Sequence, residues 1–525
     1  MNEFVAPVIQ WAALSPLLIV LLAAVVGVLV EAFVGPRLRR PVQLVLSLGA
    51  VLSALVAIAL RWLEVSPGTD HVAAQELVGG AFIEDPAGLA AQAIIALCGF
   101  VALLVIADRT EVGDGAFAAH AADRPGSAQE SASQRAGLVQ TELFPLVLFA
   151  LGGMLAFPVA GTFVTLFVAL EVLSLPLYVL TAMARRRRLL SQEAALKYFL
   201  LGAFASAFTL MGIAFLYGYA GSLRFGAFTL SAFPGQGSDA LLVGGIVLVT
   251  VGLLFKIGAA PFHSWTPDVY QGAPTPITGF MAAGTKAAAT FALVRFFYVI
   301  GVSRGWDITP LVWIVAITTM VVGTVMGVIQ SDVKRMLAYS SVAHAGFILI
   351  AVFSLQQQGI AASLFYLLAY GLASVGAFGI VYLVREVDSD GNVLGEATNI
   401  NQWAGLGKRH PVIAALMTLF LLSFAGIPLT AGFMGKYLAF ASGVAGDQVG
   451  LVVVAILCSA ATAFFYLRLI MLMYFREPEG ERVVAVRTEG PALVALAIAA
   501  GGTVILGVFP APVIAWVENA AFLLP

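Results

Sequence analysis

Charge and cysteine are what this chain has least of. Only 11% of its 525 residues are charged, against roughly 25% in soluble domains. Lysine and arginine (27) nearly balance aspartate and glutamate (29), leaving a net charge of −2. No basic surplus points to nucleic acid. Two cysteines are present, Cys98 and Cys458, each inside an apolar run, where they read as small buried residues rather than as a disulfide or metal pair. There is no glycine-rich strand–helix fingerprint for a dinucleotide and no cysteine cluster for an iron–sulfur centre. Redox chemistry, if any is involved, belongs to another chain.

What fills the sequence is hydrocarbon. Hydrophobic residues make up 61% of it, and the mean hydropathy is +0.98. Apolar runs of about 20 residues, the length a helix needs to cross a bilayer, recur from end to end. A transmembrane β-barrel would show short alternating segments instead. The reading is an all-α polytopic membrane protein of about fourteen spans: 13–34, 42–62, 86–107, 142–158, 161–183, 195–220, 239–262, 275–300, 309–330, 335–354, 358–385, 411–441, 449–475 and 491–516. The first run follows the acidic Met1-Asn2-Glu3-Phe4 and is longer than the core of a signal peptide. It reads as a retained span.

Basic residues cluster in loops of one parity: Arg37, Arg39 and Arg40; Arg185 to Arg188; Lys334 and Arg335; Lys408 and Arg409; Arg476, Arg482 and Arg487. The opposite loops hold few, Arg61, Arg224 and Arg304. The positive-inside rule then puts the basic loops in the cytoplasm and both termini outside. Residues 108–140, rich in Ala, Gly, Ser and Gln, read as a flexible insertion without assigned chemistry.

Two spans are interrupted. Span 7 breaks near Gly258 and Pro261, and span 12 near Gly426 and Pro428, each with a lysine close by, Lys256 and Lys436. Lying five spans apart, they cross in opposite directions. Such pairs mark inverted-repeat transporters with a site near the midplane. Four ionisable residues lie well inside spans: Glu171, Lys256, Lys286 and Lys436. Each costs about 2.5–3.5 kcal/mol to insert, roughly 10 kcal/mol together, comparable to the ~5–15 kcal/mol net stability of a domain. An ion pair holding helices together accounts for Glu171 and one lysine, not for three. The surplus positive charge predicts a lysine that is neutral part of the time, its proton governed by a carboxylate that moves. His344, in span 10, is a candidate to pass a proton between the halves. Glu31, Lys197, Arg295 and Arg468 lie toward span ends, where long side chains snorkel.

Three stretches carry a family resemblance: Phe255–Ala282 with its Trp-Thr-Pro-Asp-Val-Tyr-Gln-Gly-Ala-Pro-Thr-Pro core, Asp332–His344, and Phe424–Lys436. From about span 4 through span 13 the chain resembles the antiporter-like membrane subunits of proton-pumping NADH:quinone oxidoreductase, respiratory complex I. The Val-Tyr-Gln-Gly-Ala-Pro form is that of the N type, the counterpart of mitochondrial subunit 2, rather than of the L and M types. The resemblance implies two inverted five-helix repeats, spans 4–8 (residues 141–300) and 9–13 (301–475). These follow three N-terminal spans (1–107) and the 108–140 insertion, and precede a last loop and span (476–525). It implies a Glu171–Lys256 coupling pair, Lys286 as central relay and Lys436 as the site toward the outside. It places FMN, iron–sulfur clusters and quinone on partner subunits, with none on this chain. The partners implied are the antiporter-like M subunit and small K/J/A-type subunits in a bacterial plasma membrane. The function implied is proton pumping coupled to NADH-to-quinone electron transfer. The rival reading is a cation/proton antiporter subunit on the same scaffold.

Overall fold

In hydrocarbon an unpaired backbone amide or carbonyl costs several kcal/mol, so apolar runs of this length close their hydrogen bonds within themselves, as helices. The computed structural model describes residues 8–65, 74–110, 115–118, 127–135, 140–228, 238–300, 305–387, 393–477, 482–486, 488 and 490–524. Within these lie α1 (Trp11–Phe33), α2 (Pro36–Val65), α3 (Pro86–Ala107), α4 (Leu143–Ala156), α5 (Phe163–Thr181) and α6 (Arg188–Ala220). Next come α7a (Asp239–Ile257) and α7b (Trp265–Gly272), then α8 (Thr275–Val299). The second half holds α9 (Gly305–Val328), α10 (Val333–Phe353), α11 (Gln357–Leu383), α12a (Pro411–Ala425), α12b (Ala431–Ala445), α13 (Val449–Phe475) and α14 (Pro491–Val508). Twelve of these helices are long and apolar enough to span, and α4 and α12a are shorter apolar ones. The run-length reading of the spans therefore holds, with breaks at 7 and 12. Arg304, Arg487 and much of the 108–140 insertion lie outside the described residues.

Loop-to-loop pairing fixes the parity of the crossings. Isolated bridges join the loop after α3 to those after α5 and α13 (Phe117↔Ala184, Thr110↔Thr488), and the loop after α9 to that after α11 (Asp332↔Asn399). A three-stranded sheet joins the loops after α11 and α13: β3 (Val384–Val387) lies between β4 (Val393–Glu396) and β5 (Arg482–Ala485). On the opposite side, Phe82↔Ala160 and Thr162↔Arg224 join the loops after α2, α4 and α6. The hairpin β1 (Gln75–Leu77) and β2 (Phe82–Glu84) lies there too. Both ends of the chain meet that hairpin. The Val78 N–H donates to Gln10 Oε1 (3.1 Å), and the Leu524 N–H to Asp85 Oδ2 (3.0 Å). Gln10 and Leu524 thus share a side, opposite the basic loops, and α7 and α12 run in opposite directions.

The centre of the bundle is α8, α10 and α11, buried throughout their apolar middle 18 residues, with α3 nearly so. The peripheral helices α1, α2, α6 and α13 turn large apolar side chains outward, among them Leu22, Val45, Phe204 and Leu457. At a bilayer surface such exposure is what solvation by lipid requires.

One sequence expectation fails here. Arg295 does not snorkel: it is 1% exposed and lies 2.9 Å from Asp85, itself fully buried. Its remaining donors go to the carbonyls of Pro158 (2.7 Å) and Leu524 (3.2 Å). A charge that far from water persists only when matched, and Asp85, the N-cap of α3 through the Gly88 N–H, matches it. Lys197 is likewise held, 2.7 Å from both Asp268 and Glu193.

Candidate functional site: a line of polar side chains through the broken helices

The two breaks are built alike. Gly258 and Gly426 have φ of +80° and +81°, a conformation glycine adopts without the Cβ penalty. The Gly258 and Ala259 N–H groups both donate to Leu254 O (3.0 and 2.9 Å), and those of Gly426 and Ile427 to Leu422 O (both 3.0 Å). This is the Schellman closure of a helix C-terminus. Each closure leaves a last-turn carbonyl free at the negative end of the helix dipole.

Lysines take those carbonyls. Lys286 Nζ donates to Ile257 O (3.1 Å), the last residue of α7a, and to Ser341 O on α10 (2.7 Å). Lys436 Nζ donates to Ala425 O (3.0 Å), the last residue of α12a, and to Ser459 Oγ on α13 (2.8 Å). Immediately before Lys286, Met281–Thr285 form a π-helical turn, a distortion frequent at functional positions. Lys256, although one residue from the Ile257 carbonyl, points the other way. Its Nζ donates to Ser174 Oγ on α5 (2.8 Å) and Tyr198 OH on α6 (3.0 Å) and lies 5.0 Å from the Tyr198 ring centroid. Lys256 and Lys436 are thus not equivalent members of the two breaks. Lys256 precedes its break and leaves it, whereas Lys436 follows its break and folds back onto it.

Glu171 stands one turn from Ser174 on α5. Its Oε1 accepts from Ser206 Oγ on α6 (2.5 Å). Among the described residues no ion pair within 4 Å joins Glu171 to Lys256, whose ammonium donates instead to Ser174, one turn along α5 from Glu171. Ser174 in turn donates to Leu170 O.

Between Lys286 and Lys436 lies His344, on the same helix as Ser341. Its Nδ1 is hydrogen-bonded with Tyr366 OH (2.7 Å) and its Nε2 with Tyr466 OH (3.3 Å). Tyr466 also bonds Ser340. The Tyr370 ring faces both neighbours: its centroid is 4.9 Å from that of His344 and 5.7 Å from Lys286 Nζ. Phe347 bridges onward, 5.7 Å from His344 and 5.0 Å from Lys436 Nζ. The Ser341 and Ser374 hydroxyls face Tyr370, and the Thr285 hydroxyl is buried without a hydrogen-bond partner. Beside Lys436 lies a surface recess of about 390 Å³, lined by Phe433, Tyr437, Phe440, Val444 and Ile456.

Shared neighbours order four of the residues singled out in the sequence as Lys256, Lys286, His344, Lys436, with Glu171 one turn from the Ser174 that Lys256 bonds. Sequence reading missed the hydroxyls that hold them, Ser174, Ser206 and Ser459, and the tyrosines 198, 366, 370 and 466. Tyrosine inside an apolar run was the available signal. His263, beside the first break, leaves its Nδ1 buried and unbonded. Among the described residues no group of three or more His, Cys, Asp or Glu side chains gathers as a metal site.

Known proteins resemble this chain in sequence and fold. Residues 160–462 match the transmembrane family described as NADH:quinone oxidoreductase/Mrp antiporter. The NADH-quinone oxidoreductase subunit N of Beutenbergia cavernae is 58% identical over 98% of both chains. A chain of respiratory complex I from Thermus thermophilus superposes with a TM-score of 0.73 at 31% identity, over 95% of this chain and 98% of that one. A chain of an archaeal membrane-bound sulfane sulfur reductase does so at 0.77 and 25% identity, over 98% and 97%. With its family profile, near-complete alignment and broken helices in agreement, this chain belongs to the NADH:quinone oxidoreductase/Mrp antiporter membrane family, in its NADH-quinone oxidoreductase subunit N branch.

Proposed function

We propose that this chain is a proton-translocating membrane-arm subunit of an NADH:quinone oxidoreductase, and that its protons move along the line from Glu171 to Lys436. The observation that supports the relay is a series of shared neighbours: Lys286 bonds the carbonyl of the residue that follows Lys256, the Tyr370 ring lies against both Lys286 and His344, and Phe347 lies against both His344 and Lys436. Protons enter from the cytoplasmic side, reach Lys286, pass His344 and leave beside Lys436, where the surface recess lies. The energy comes from NADH oxidation on partner subunits that hold FMN, iron–sulfur clusters and quinone. Moving a charge against the membrane potential costs about 2.3 kcal/mol per 100 mV. The neighbours in this reading are the antiporter-like M subunit and small K/J/A-type subunits. The setting is a bacterial plasma membrane with both termini outside. The two series α4–α8 and α9–α13 act as inverted repeats.

The geometry refines how the coupling pair works. With Lys256 bonded to Ser174 rather than to Glu171, the two charges interact at a distance in this state. Small rotations of α5 would lengthen or close that gap and alter the hold of Lys256 on its proton. Lys256 and Lys286 flank the same backbone step, one on the residue before Ile257 and one on its carbonyl. A shift of the break therefore reaches both. The cation/proton antiporter reading would use the same residues, but 58% identity to an NADH-quinone oxidoreductase subunit favours the redox-driven complex.

The test is a mild-detergent purification of the tagged chain from its own membranes, assayed for NADH oxidation by quinone and, in vesicles, for proton uptake. A large assembly with flavin, iron–sulfur and NADH activity supports the reading. In that assembly Lys256→Ala should suppress proton pumping at least tenfold and slow coupled quinone reduction. Normal pumping by the mutant would remove Lys256 from the relay. A small cofactor-free complex exchanging cations for protons would move the chain to the antiporter class.

A further inference from the structure

On the side of the basic loops, α5, α7b and α11 end and α10 begins around a cavity of about 40 Å³. Its charged lining is Arg185, Arg186, Arg187, Lys334, Arg385 and Glu396. Five cations line it beside one carboxylate that is already engaged, and behind the lining Glu386 lies 3.6 Å from Arg187. Glu396 accepts from Thr275 Oγ1 (2.5 Å) and lies 3.7 Å from Lys334 Nζ. Lys334 also donates to Ala273 O (2.8 Å), and Arg187 to Thr398 Oγ1 (2.7 Å).

Arg385 is different. It sits in β3 opposite Glu396 of β4 and Val484 of β5, yet no hydrogen bond joins it to Glu396 among those described. It is 3% exposed, and its guanidinium lies 5.0 Å from the Tyr382 ring centroid. Its Nε and Nη2 are buried without a hydrogen-bond partner. A buried guanidinium with idle donors is unfavourable unless something accepts from it. The opposite wall is kept low by Gly395, where an added Cβ would stand 3.4 Å from Arg186 Cδ.

We propose that this cavity is a binding site for a phosphate-type oxyanion, with Arg385 as its central donor and Lys334 and Arg186 as flanking charge. Planar guanidinium forks pair with phosphate oxygens through two parallel hydrogen bonds, and a small cavity ringed by cations suits a compact polyvalent anion better than a neutral ligand. The place fits as well. Helix ends mark the depth at which phospholipid headgroups lie, and basic pockets between helices on this face take them. The oxyanion has two sources, an anionic phospholipid headgroup or free phosphate.

The experiment measures binding of radiolabelled inorganic phosphate to the assembly purified through the tagged chain. It is done in detergent and after transfer to nanodiscs of phosphatidylcholine with or without phosphatidylglycerol. Wild type should bind saturably in detergent and in phosphatidylcholine, and Arg385→Gln should weaken that component at least tenfold. Gly395→Val, which changes no charge and fills the wall, should do the same. Loss of the component on adding phosphatidylglycerol identifies the headgroup as the resident. Its persistence identifies free phosphate. Equal binding by wild type and both variants in every setting overturns the proposal. If Arg385→Gln prevents assembly, unchanged binding by Gly395→Val overturns it alone.

Discussion

Ser174 is the residue on which the coupling half of the site turns. It accepts from Lys256 and stands one turn from Glu171, so in the proposed relay the carboxylate would act on the lysine without direct contact. A hydrogen bond contributes about 1 kcal/mol net, and 1.4 kcal/mol is a factor of ten in rate. Ser174→Ala and Tyr198→Phe, which spare both charges, should therefore each lower proton pumping roughly fivefold in an assembled complex. Glu171→Gln removes the charge itself and should lower it more than either. Proton uptake by inverted vesicles during NADH oxidation measures all three; equal effects from Ser174→Ala and Glu171→Gln would mean that the hydroxyl, not the charge, governs Lys256. At the other end Lys436→Ala should block proton exit with assembly intact. A variant that only fails to assemble would recast Lys436 as a structural clamp on Ala425 and Ser459.

The broken helices show how one backbone device serves two chemistries. Both breaks cap with a glycine at positive φ, where a side chain is strained by about 1–2 kcal/mol. What a Cβ meets there differs. At Gly258 it would stand 2.7 Å from Thr266 Oγ1, and at Gly426 2.9 Å from Lys436 Cδ. Gly258→Ala should thus mainly lower thermal stability. Gly426→Ala should also push the Lys436 ammonium off Ala425 O, so that its pumping falls further than its unfolding temperature explains. Comparing the two by melting curve and proton uptake separates strain from site damage. The Asp85–Arg295 pair anchors α3 to α8 and to the chain end at Leu524. Breaking a buried pair costs about 3–5 kcal/mol. Asp85→Ala should sharply reduce the fraction of chain that survives heating in the assembled state, whereas replacing both partners with leucine and methionine should recover much of it.

Across the whole molecule, loops of one parity bond only with each other in the bridges and sheets described, and the two chain ends meet the loop after α2. The structure thereby divides the surface into two faces; the basic loops then suggest which face is cytoplasmic. The native cysteines are buried, Cys98 at 1% and Cys458 at 9% exposure, so new ones read cleanly. Val449 is 54% exposed beside the loop after α12b, and the Lys408 side chain is 66% exposed on the opposite face. Val449→Cys should react with a membrane-impermeant maleimide in intact cells, and Lys408→Cys only after permeabilisation. The reverse pattern would invert the orientation.

The spans, their parity and the two breaks were legible in the chain because they depend on local quantities. Hydrocarbon thickness sets run length, and glycine followed by proline within a few residues marks where a helix closes. Glu171, Lys256, Lys286 and Lys436 stood out for the same reason, each being expensive where it lies. What each side chain reaches was not legible. Nothing in the order of residues says that Lys286 on α8 caps α7a, that Lys256 bonds Ser174 rather than Glu171, or that Arg295, near a span end, turns inward to Asp85 more than 200 positions away. Nor does it say that Arg385 is brought to the mouth of α7b by a strand pairing between two distant loops. Those partnerships follow from how helices pack against helices far apart in sequence, and a buried charge takes whichever acceptor that packing brings within reach.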